Sequence, residues 1–560
     1  MEPGTRKRPR SSFSDWNNLL KKKFNTTTNN NNNDSNIHDD NTFNVNKDNS
    51  SVIILDSDDE NYEFNDIDDD ADENTSGIAV NGHNIYDNDD NESIVILKEN
   101  QLPPNYTESA NYNTGNNNFD YNYNDGTRSL DLQDQDKRRT NSLPQLPLSQ
   151  ISYRRVSELI KIVTDDDGYY IAEPGQYFAN GRFKILSILG QGTFGKVIKA
   201  LDLNSNETVA IKIIRAIPKY REASKIELRI LTTLKNADPE NLNNCIHLRE
   251  VLDYENHICI ITDLLDISLY EFLQNNKFKP FPGSQIQAIT RQLIRSVAFL
   301  HDLKLIHTDL KPENILLTSS DFAKFKKNKV LKNPLINVID FGSAIFNDEY
   351  HSELVSTRHY RAPEIVLGTG WSYPCDLWSL GCILVELVTG EALFKTHENL
   401  EHLAIMEKVL NCKIPNSMIK KIKNKEILNY FKKNNYHYHQ YLLNYPNNET
   451  QEKSINFVKT IKKLDDLICS KLKIKIHINM NDSLQKNWDK NHSKNKSLNF
   501  ETFQFWFYFI DLVKNLLKFD PNQRISAIDA MNHPWWDFGT IDEATSGLMN
   551  NDNSFGGKMI

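Results

Sequence analysis

The sequence predicts an α+β fold in two lobes, preceded by a disordered acidic arm. Between residues 183 and 214, short apolar runs alternate with glycines and polar turns, which is typical of strands. From Ser284 onward, long segments with helical periodicity dominate. The first 150 residues carry 28 acidic and 13 basic side chains, a balance of −15, whereas the remaining 410 carry 47 acidic and 52 basic, a balance of +5. The arm therefore differs chemically from the folded part.

The composition excludes several classes of protein. No strongly basic domain stands out, so direct binding of nucleic acid is not expected. The basic N-terminus lacks the apolar core of a secretory signal, and the most apolar stretches, 377–394 and 500–517, are interrupted by charges, so no membrane span is predicted. The six cysteines show no metal-ligand spacing and are predicted to be reduced thiols, mostly in the core. We expect a soluble, intracellular monomer.

The predicted arm covers residues 1–164. Its stretches of Asn, Asp and Ser cannot bury enough apolar surface to offset the entropy of ordering, so it is predicted to be disordered. Two basic clusters, Arg6–Arg10 and Lys21–Lys23, have the spacing of a bipartite nuclear import signal, with a solvated basic end as the alternative. Val52–Leu55, followed by acids, resembles a SUMO-interacting motif, with a stray apolar patch as the alternative. These features predict a nuclear protein, with cytoplasm as a further location.

The folded domain is predicted over 165–536, with 537–560 as a short tail. Its strands are predicted at Phe183–Leu189, Val197–Ala200 and Thr208–Ile214, and its first helix at Lys219–Lys235. Later amphipathic helices are predicted at Ile286–Leu303 and Asp376–Thr389. The segment 413–500 carries 18 lysines against 7 acids, which favours a solvated face. Within it, strict alternation over Lys471–Ile478 predicts an edge strand with one buried face.

A glycine-rich pattern, G-x-G-x-x-G-x-V, lies between the first two predicted strands. It comprises Gly190, Gln191, Gly192, Thr193, Phe194, Gly195 and Val197. Glycines let the backbone approach phosphates closely and direct its amides at them. A dinucleotide-binding turn and an ordinary hairpin are the alternatives, but a dinucleotide site needs a helix directly after the loop, and here a β-rich segment follows.

Four further motifs remove that ambiguity. Val209-Ala210-Ile211-Lys212 places Lys212 on the third strand, and Glu227 on the following helix is a natural ion-pair partner. His307–Asn314 supplies a base, a cation and an amide within eight residues. Asp340-Phe341-Gly342 supplies a carboxylate, and Ala362-Pro363-Glu364 closes the segment. In type, order and spacing the set resembles the protein kinases, from about Phe183 to Trp536.

The resemblance implies a two-lobed protein kinase fold that uses ATP and Mg²⁺. The N-lobe would span about 183–262 and the C-lobe about 266–536, with 413–500 as an insert. Phosphoryl transfer needs positioning and charge neutralisation more than covalent help. The implied roles are as follows: Asp309 accepts the substrate proton, Lys311 neutralises the γ-phosphate, Asn314 and Asp340 hold two Mg²⁺ ions, and Asp263 and Leu265 form the adenine hinge, with Thr262 as gatekeeper. His307, Phe341, Asp376 and a Glu364–Arg524 pair are interpreted as architecture.

A narrower resemblance points to the LAMMER, or CDC-like, kinases. Glu401–Lys408 agrees with the motif that names that family at six of eight positions. His307-Thr308-Asp309, Ser356–Glu364 and the lead-in Asp165–Gly168 also agree with it. The resemblance implies phosphorylation of Ser and Thr in Arg/Ser-rich, RNA-processing proteins, with tyrosine autophosphorylation. The alternatives are another kinase of the same larger group, or a scaffold whose arm recruits partners; an Asp309→Asn variant would separate catalysis from scaffolding.

One residue predicts how the enzyme is regulated. Most regulated kinases have an Arg before the catalytic Asp, which clamps a phosphorylated activation segment. Here that position is Thr308, which carries no charge. Ser352, Ser356 and Thr357 are the candidate phosphosites of the segment. Because their usual partner is missing, the enzyme is predicted to be active without phosphorylation there.

Overall fold

The computed structural model describes residues 163–434 and 440–547, together with the backbone of two short strands at 54–55 and 154–156. The chain divides into two units, one formed by 1–59 with 142–560 and the other by 60–141. The second unit, the predicted import signal and Val52-Ile53 of the predicted SUMO-interacting motif lie outside the described residues.

An N-lobe sheet carries the glycine-rich turn. Its strands are β1 (Ile54–Leu55), β2 (Arg154–Val156), β3 (Tyr177–Phe178), β4 (Phe183–Gly192), β5 (Gly195–Asp202), β6 (Glu207–Ile214), β7 (Leu248–Tyr254) and β8 (His257–Asp263). Their order is β1-β4-β5-β6-β8-β7-β2, with β3 paired to β4. All pairs are antiparallel except β1 with β4 and β2 with β7. The three predicted strands are confirmed, each one longer than expected.

Residues ahead of the first predicted strand complete the N-lobe core. Tyr170 is 1% exposed and Phe178 is fully buried. Their rings meet edge to face at 5.2 Å, and Phe178 lies 4.7 Å from Tyr254 of β7. The N-lobe therefore begins well before residue 183, because Tyr170 and Phe178 supply aromatic side chains to its core.

Helices build the C-lobe, apart from α1, which packs on the N-lobe sheet. They are α1 (Pro218–Ala237), α2 (Leu269–Asn275), α3 (Gly283–Asp302), α4 (Pro363–Val366), α5 (Pro374–Thr389), α6 (Asn399–Leu410), α7 (Asn416–Ile419), α8 (Lys425–Leu428), α9 (Glu452–Thr460), α10 (Leu464–Lys471), α11 (Leu484–Lys494), α12 (Phe500–Leu516), α13 (Ala527–Met531) and α14 (Glu543–Gly547). Short pairs β9 (Leu305–Ile306) with β14 (Ile345–Phe346), β10 (Ile315–Leu317) with β13 (Ile336–Val338), β11 (Phe322–Phe325) with β12 (Asn328–Leu331), and β15 (Phe431–Lys433) with β16 (Tyr441–Leu443) link them.

Helix α5 is the centre of the C-lobe core. The prediction that it is amphipathic is wrong, because every residue from Cys375 to Thr389 is buried. Trp378 on this helix is fully buried and stacks on Phe394 at 5.7 Å. The six cysteines are free thiols, five buried and Cys412 exposed. In the part of the chain that the structure describes, no helix is long and apolar enough to cross a membrane.

The edge strand predicted at Lys471–Ile478 is wrong. Lys471 ends α10, and the residues after it have no strand partner within the described chain. Side chains of α11 take the place of a neighbouring strand: Asn491 Oδ1 accepts from the His477 N–H at 2.8 Å, and its Nδ2 donates to the His477 carbonyl at 2.7 Å. Ile476 and Ile478 are buried while His477 is exposed. The alternation therefore recorded burial correctly, but the backbone bonds go to side chains.

The chain continues to pack on the C-lobe beyond residue 536. Asp542 accepts from the backbone N–H of Ser284 at 2.7 Å and from its hydroxyl at 2.9 Å, at the start of α3. Glu543 is buried and bonds Asn328 on β12 at 3.2 Å. The first part of the predicted tail therefore belongs to the folded lobe.

Candidate active site

The predicted phosphate-binding lysine lies where β6 faces α1. Lys212 Nζ is 2.9 Å and 3.1 Å from the two carboxylate oxygens of Glu227, and 3.3 Å from Asp340 Oδ1. Burial of the Lys212 ammonium acts against its charge, but the two carboxylates outweigh burial and raise its pKa. The same ammonium is the main cause of the lowered pKa of Asp340. Burial raises the pKa of Glu227, opposed by Lys212. The Lys212 ammonium is thus held between two carboxylates, those of Glu227 and Asp340.

The buried Asp376 carboxylate holds the catalytic loop, His307–Asn314, by hydrogen bonds to its backbone. Asp376, only 1% exposed, accepts from the backbone N–H groups of His307 and Thr308, both at 2.9 Å. Thr308 has φ +68°, a conformation that β-branched residues rarely adopt, and its hydroxyl donates to the Ser343 carbonyl at 2.9 Å. The His307 ring packs on Phe341 with 5.2 Å between centroids. These residues serve as architecture, as the sequence indicated.

The predicted base and cation converge on one hydroxyl. Asp309 Oδ1 accepts from the backbone N–H of Thr357 at 2.9 Å and from its hydroxyl at 2.8 Å. Lys311 Nζ lies 3.2 Å from Asp309 Oδ2 and donates to the Thr357 hydroxyl at 3.1 Å. Burial acts to lower the pKa of Lys311, but Asp309 outweighs it and the pKa is raised. A carboxylate and an ammonium therefore meet within hydrogen-bond reach of a hydroxyl oxygen, as proton acceptance requires.

Asn314 and Asp340 fit the role of metal ligands. Asn314 Nδ2 donates to the Asp309 carbonyl at 2.9 Å and to Asp309 Oδ2 at 3.3 Å, so its amide oxygen remains for a cation. The side chain of Asp340 is 46% exposed, and the lowered pKa keeps it ionised. Amide and carboxylate oxygens are the hard ligands that Mg²⁺ prefers. Among the described residues, no group of three or more His, Cys, Asp or Glu could hold a metal. Nucleotide phosphates and water would supply the other ligands.

The glycine-rich turn joins β4 to β5, with Gly192 opposite Gly195. A Cβ on Gly195 would lie 2.2 Å from the Ile213 carbonyl oxygen, so only glycine fits there. Phe194 at the tip packs edge-on against Tyr220 of α1, with 5.6 Å between centroids. The other residues predicted to contact the nucleotide lie beside the turn: Gly190 and Gln191 on β4, Thr193 in the turn, Val197 on β5 and Ala210 on β6.

The predicted hinge begins at Asp263, the last residue of β8. Thr262 lies opposite Ala210, and Asp263 opposite Val209, so the end of β8 runs beside the strand that carries Lys212. The Asp263 carboxylate binds Arg249, with 2.5 Å between Oδ1 and Nε. The Asp263 carbonyl accepts from the Thr262 hydroxyl at 3.4 Å. Leu265 is partly buried against the C-lobe core.

Contacts within the protein hold the activation segment, which lies between Gly342 and Ala362. Arg229 on α1 forms an ion pair with Glu349 and lies over the Phe346 ring at 4.7 Å. Arg361 donates to the Ser356 carbonyl through Nε at 3.1 Å and Nη2 at 2.9 Å. The segment is thus tied both to the helix that carries Glu227 and to itself; activity without phosphorylation stays a prediction.

The structure changes one part of that prediction. The Thr357 hydroxyl is bound by Asp309 and Lys311, so an alanine or a phosphate there would disturb the catalytic centre itself. The Ser356 hydroxyl donates to the Thr308 carbonyl, and Ser352 is exposed. Ser352 is therefore the best-placed phosphosite of the three.

The motif helix α6 has a packing role. Its His402, Leu403, Ile405 and Met406 are fully buried. Burial lowers the pKa of His402 to about 3, so the imidazole is neutral, and its ring lies 5.6 Å from Phe394. The predicted Glu364–Arg524 pair is also formed, with two bonds of 2.7 Å and 2.8 Å between fully buried side chains.

The sequence indicated Thr357 only as a candidate phosphosite, and it did not indicate a role for Tyr169 or Arg215. Thr357 reaches Asp309 across 48 positions of the chain, and nothing in its local sequence indicates this. Tyr169 donates to the Gly192 carbonyl at 3.0 Å, and Arg215 to the Thr193 carbonyl at 3.3 Å. The only available indication was that Tyr169 directly follows the lead-in motif Asp165–Gly168.

Comparison with known proteins gives a consistent result. The family model described as the protein kinase domain matches residues 183–536. The chain is 44% identical over 441 residues to the dual specificity protein kinase KNS1 of Saccharomyces cerevisiae, covering 68% of this chain and 59% of that protein. It is 45% identical over 378 residues to the dual specificity protein kinase lkh1 of Schizosaccharomyces pombe, covering 66% of this chain and 49% of that protein. The match thus spans between half and three fifths of these relatives.

A solved structure agrees in fold. The crystal structure of a kinase domain superposes with a TM-score of 0.55 at 30% sequence identity, covering 66% of this chain and 99% of that chain.

Proposed function

This chain belongs to the protein kinase family, in its LAMMER (CDC-like) branch, and we propose that it transfers the γ-phosphate of ATP to Ser, Thr and Tyr hydroxyls of proteins. The observation that carries the proposal is the convergence of Asp309 and Lys311 on one hydroxyl, beside the Lys212–Glu227–Asp340 cluster. Acceptor and phosphate-binding groups are both present, which argues against a purely scaffolding role.

The chain's own residues account for the reaction. Asp309 would accept the proton of the incoming hydroxyl at Oδ1, in the place that the Thr357 hydroxyl marks. Lys311 would neutralise the transferred phosphoryl group, and Lys212, held by Glu227, would bind the other phosphates. Asn314 and Asp340 would hold Mg²⁺, which neutralises charge on the phosphates when bound.

The proposed substrates follow from family membership, and the proposed location follows from the basic clusters near the N-terminus. Arg/Ser-rich proteins of RNA processing are the substrate class that family membership supports, and the basic clusters 6–10 and 21–23 support a nuclear location, with cytoplasm as a further one. A SUMO or SUMO-modified partner at Val52–Leu55 would have to displace the pairing of Ile54–Leu55 with Gln191–Gly192. We propose a monomer that acts on protein substrates.

A positional-scanning peptide array tests the proposal. The purified full chain, with ATP and Mg²⁺, should phosphorylate Ser and Thr peptides and prefer Arg beside the acceptor. Asp309→Asn, which conserves shape and removes the base, is the matched control and should be inactive. A preference for proline without arginine would favour another kinase of the larger group, and unchanged activity of Asp309→Asn would contradict the assignment.

A further inference from the structure

The lead-in before the N-lobe sheet lies against the glycine-rich turn. Gly168 has φ +84°, and a Cβ there would lie 2.9 Å from Ile217 Cγ1, so the backbone passes directly over the residues that follow β6. Its carbonyl accepts from the Ala216 N–H at 2.8 Å. Lys196, buried next to the turn, donates to the Tyr170 carbonyl at 2.9 Å. We call residues 165–170 the strap.

Tyr169 and Arg215 connect the strap to the tip of the turn. The Tyr169 hydroxyl donates to the Gly192 carbonyl at 3.0 Å. Arg215 lies over the Tyr169 ring at 4.4 Å and donates from Nε to the Asp167 carbonyl at 2.8 Å. It also donates from Nη1 to the Thr193 carbonyl at 3.3 Å, and from its backbone N–H to the Phe194 carbonyl at 3.0 Å.

These bonds engage three consecutive carbonyls of the turn. In a trans peptide the C=O and the following N–H point in opposite directions. Holding the carbonyls of Gly192 and Thr193 toward the strap and Arg215 therefore turns the N–H groups of Thr193 and Phe194 away from them, whereas Gly195 is paired with Gly192 across the hairpin. Those N–H groups are the donors that a glycine-rich turn offers to phosphates.

We propose that Tyr169 and Arg215 are positioning residues for nucleotide binding: the strap pre-orients the amides of the glycine-rich turn, so that ATP binds a turn that is already ordered. Preorganisation of this kind acts mainly on affinity, because it removes an ordering cost that binding would otherwise carry. The inference rests on the proposed kinase function and extends it to residues outside the kinase signature.

Tyr169→Phe tests the proposal in the full chain, because it keeps the ring beneath Arg215 and removes only the hydroxyl. The loss of one hydrogen bond should raise the KM for ATP about threefold to tenfold. The peptide KM and kcat should change less than about twofold. Tyr177→Phe, on β3 and 58% exposed, is the matched control and should behave as wild type.

A second measurement keeps the outcomes separate. Calorimetric titration of Mg²⁺–ADP should show a weaker affinity for Tyr169→Phe, and a similar loss for Arg215→Lys, which keeps the charge but loses the planar contacts. An active wild type with unchanged ATP KM and ADP affinity in both variants would overturn the strap proposal and leave the kinase function standing. A wild type without phosphoryl transfer would overturn the kinase function, and the ADP titration would still decide the strap. Arg215→Lys decides alone if Tyr169→Phe does not fold.

Discussion

The kinase core and the lysine-rich insert, 413–500, both contain many charged side chains, yet they use them differently. In the core, two pairs are buried or largely buried: Lys212 with Glu227, 23% and 8% exposed, and Arg524 with Glu364, whose side chains are fully buried. In the insert, the lysines of the ion pairs lie in solvent, as for Lys471, 37% exposed, which pairs with Glu391, 56% exposed. Asparagine side chains make its buried polar contacts instead.

The difference shows that the environment of a charge decides its effect. An ion pair in water contributes about 0–1 kcal/mol, because solvent screens it and two long side chains lose entropy. Removing one partner of a buried pair leaves an unpaired charge, which costs about 3–5 kcal/mol. The number of lysines therefore says little about the stability of the insert. In the core, by contrast, the buried carboxylates of Glu227 and Glu364 each hold a cation in place.

The largest expected contrast is in activity. Lys212→Met should lower kcat/KM about a thousandfold or more, since it removes a phosphate-binding cation and leaves Glu227 without its partner. Lys471→Met changes the same residue type in the insert and should leave kcat/KM near wild type. Steady-state assays of both variants check this, and a Lys212→Met enzyme with more than about a tenth of wild-type activity would contradict the site, because that is a barrier change of only ~1.4 kcal/mol.

Stability should show the next contrast. Glu364→Ala should destabilise the protein by about 3–5 kcal/mol, because the Arg524 guanidinium stays buried without its carboxylate. Lys471→Ala, the exposed counterpart, should cost less than about 1 kcal/mol. Chemical denaturation measures both values. Equal costs would mean that burial does not separate the two regions.

Glu386 and Glu391, five residues apart, should change the stability of the protein in opposite directions as pH rises. Burial raises the pKa of Glu386 to about 7, against a hydrogen bond of 2.7 Å from the Tyr360 hydroxyl. Its proton therefore stabilises the fold below about pH 4.5, and that contribution, about 3 kcal/mol in total, is lost as pH rises to about 7. Glu386→Gln should remove this loss of stability, so the free energy of unfolding of the variant should rise relative to that of wild type as pH rises.

Glu391 is the contrasting case. Partial burial acts to raise its pKa, but Lys471 and Lys395 outweigh burial and the pKa is lowered. Its ionised form stabilises the fold above its ordinary pKa. As pH rises through that range, the free energy of unfolding of Glu391→Gln should therefore fall slightly relative to that of wild type. Denaturant titrations from pH 4 to 8 check both variants, and slopes of the same sign would refute the assignment.

Neighbouring residues of the insert sharpen the comparison at a smaller scale. Asn491→Ala should cost about 1–3 kcal/mol, because the partly buried N–H and carbonyl of His477 lose their partners. Lys490→Ala, next to it and 57% exposed, should not change the unfolding midpoint measurably. Thermal unfolding distinguishes them. A larger effect at Lys490 would show that the lysines, and not the asparagines, hold the insert together.

The smallest expected effect is at the activation segment. Ser352→Ala, or treatment with a phosphatase, should leave peptide-kinase activity near wild type, because Arg229–Glu349 and Arg361 already hold the segment. Thr357→Ala should lose activity for a separate reason, the loss of its contact with Asp309. A hundredfold fall with Ser352→Ala, restored by an upstream kinase, would show that the segment needs phosphate.

Sequence patterns located the chemistry because each kinase motif is short and local. The glycine spacing, Val209–Lys212 and His307–Asn314 each set their own backbone, and the strands and helices between them follow hydrophobic periodicity. The same periodicity failed at Lys471–Ile478, where it reported which side chains are buried but not what binds the backbone. It also failed at α5, whose position at the centre of the core buries every face.

The sequence by itself determined the fold class, the two lobes and the residues expected to act on ATP. Only the tertiary structure decided which residues join those motifs: the Thr357 hydroxyl reaches Asp309, and Tyr169 binds the carbonyl of Gly192. The physical reason is range. Propensity and periodicity act over a few residues. Each of these contacts joins segments that are distant in sequence and meet only when their lobe folds.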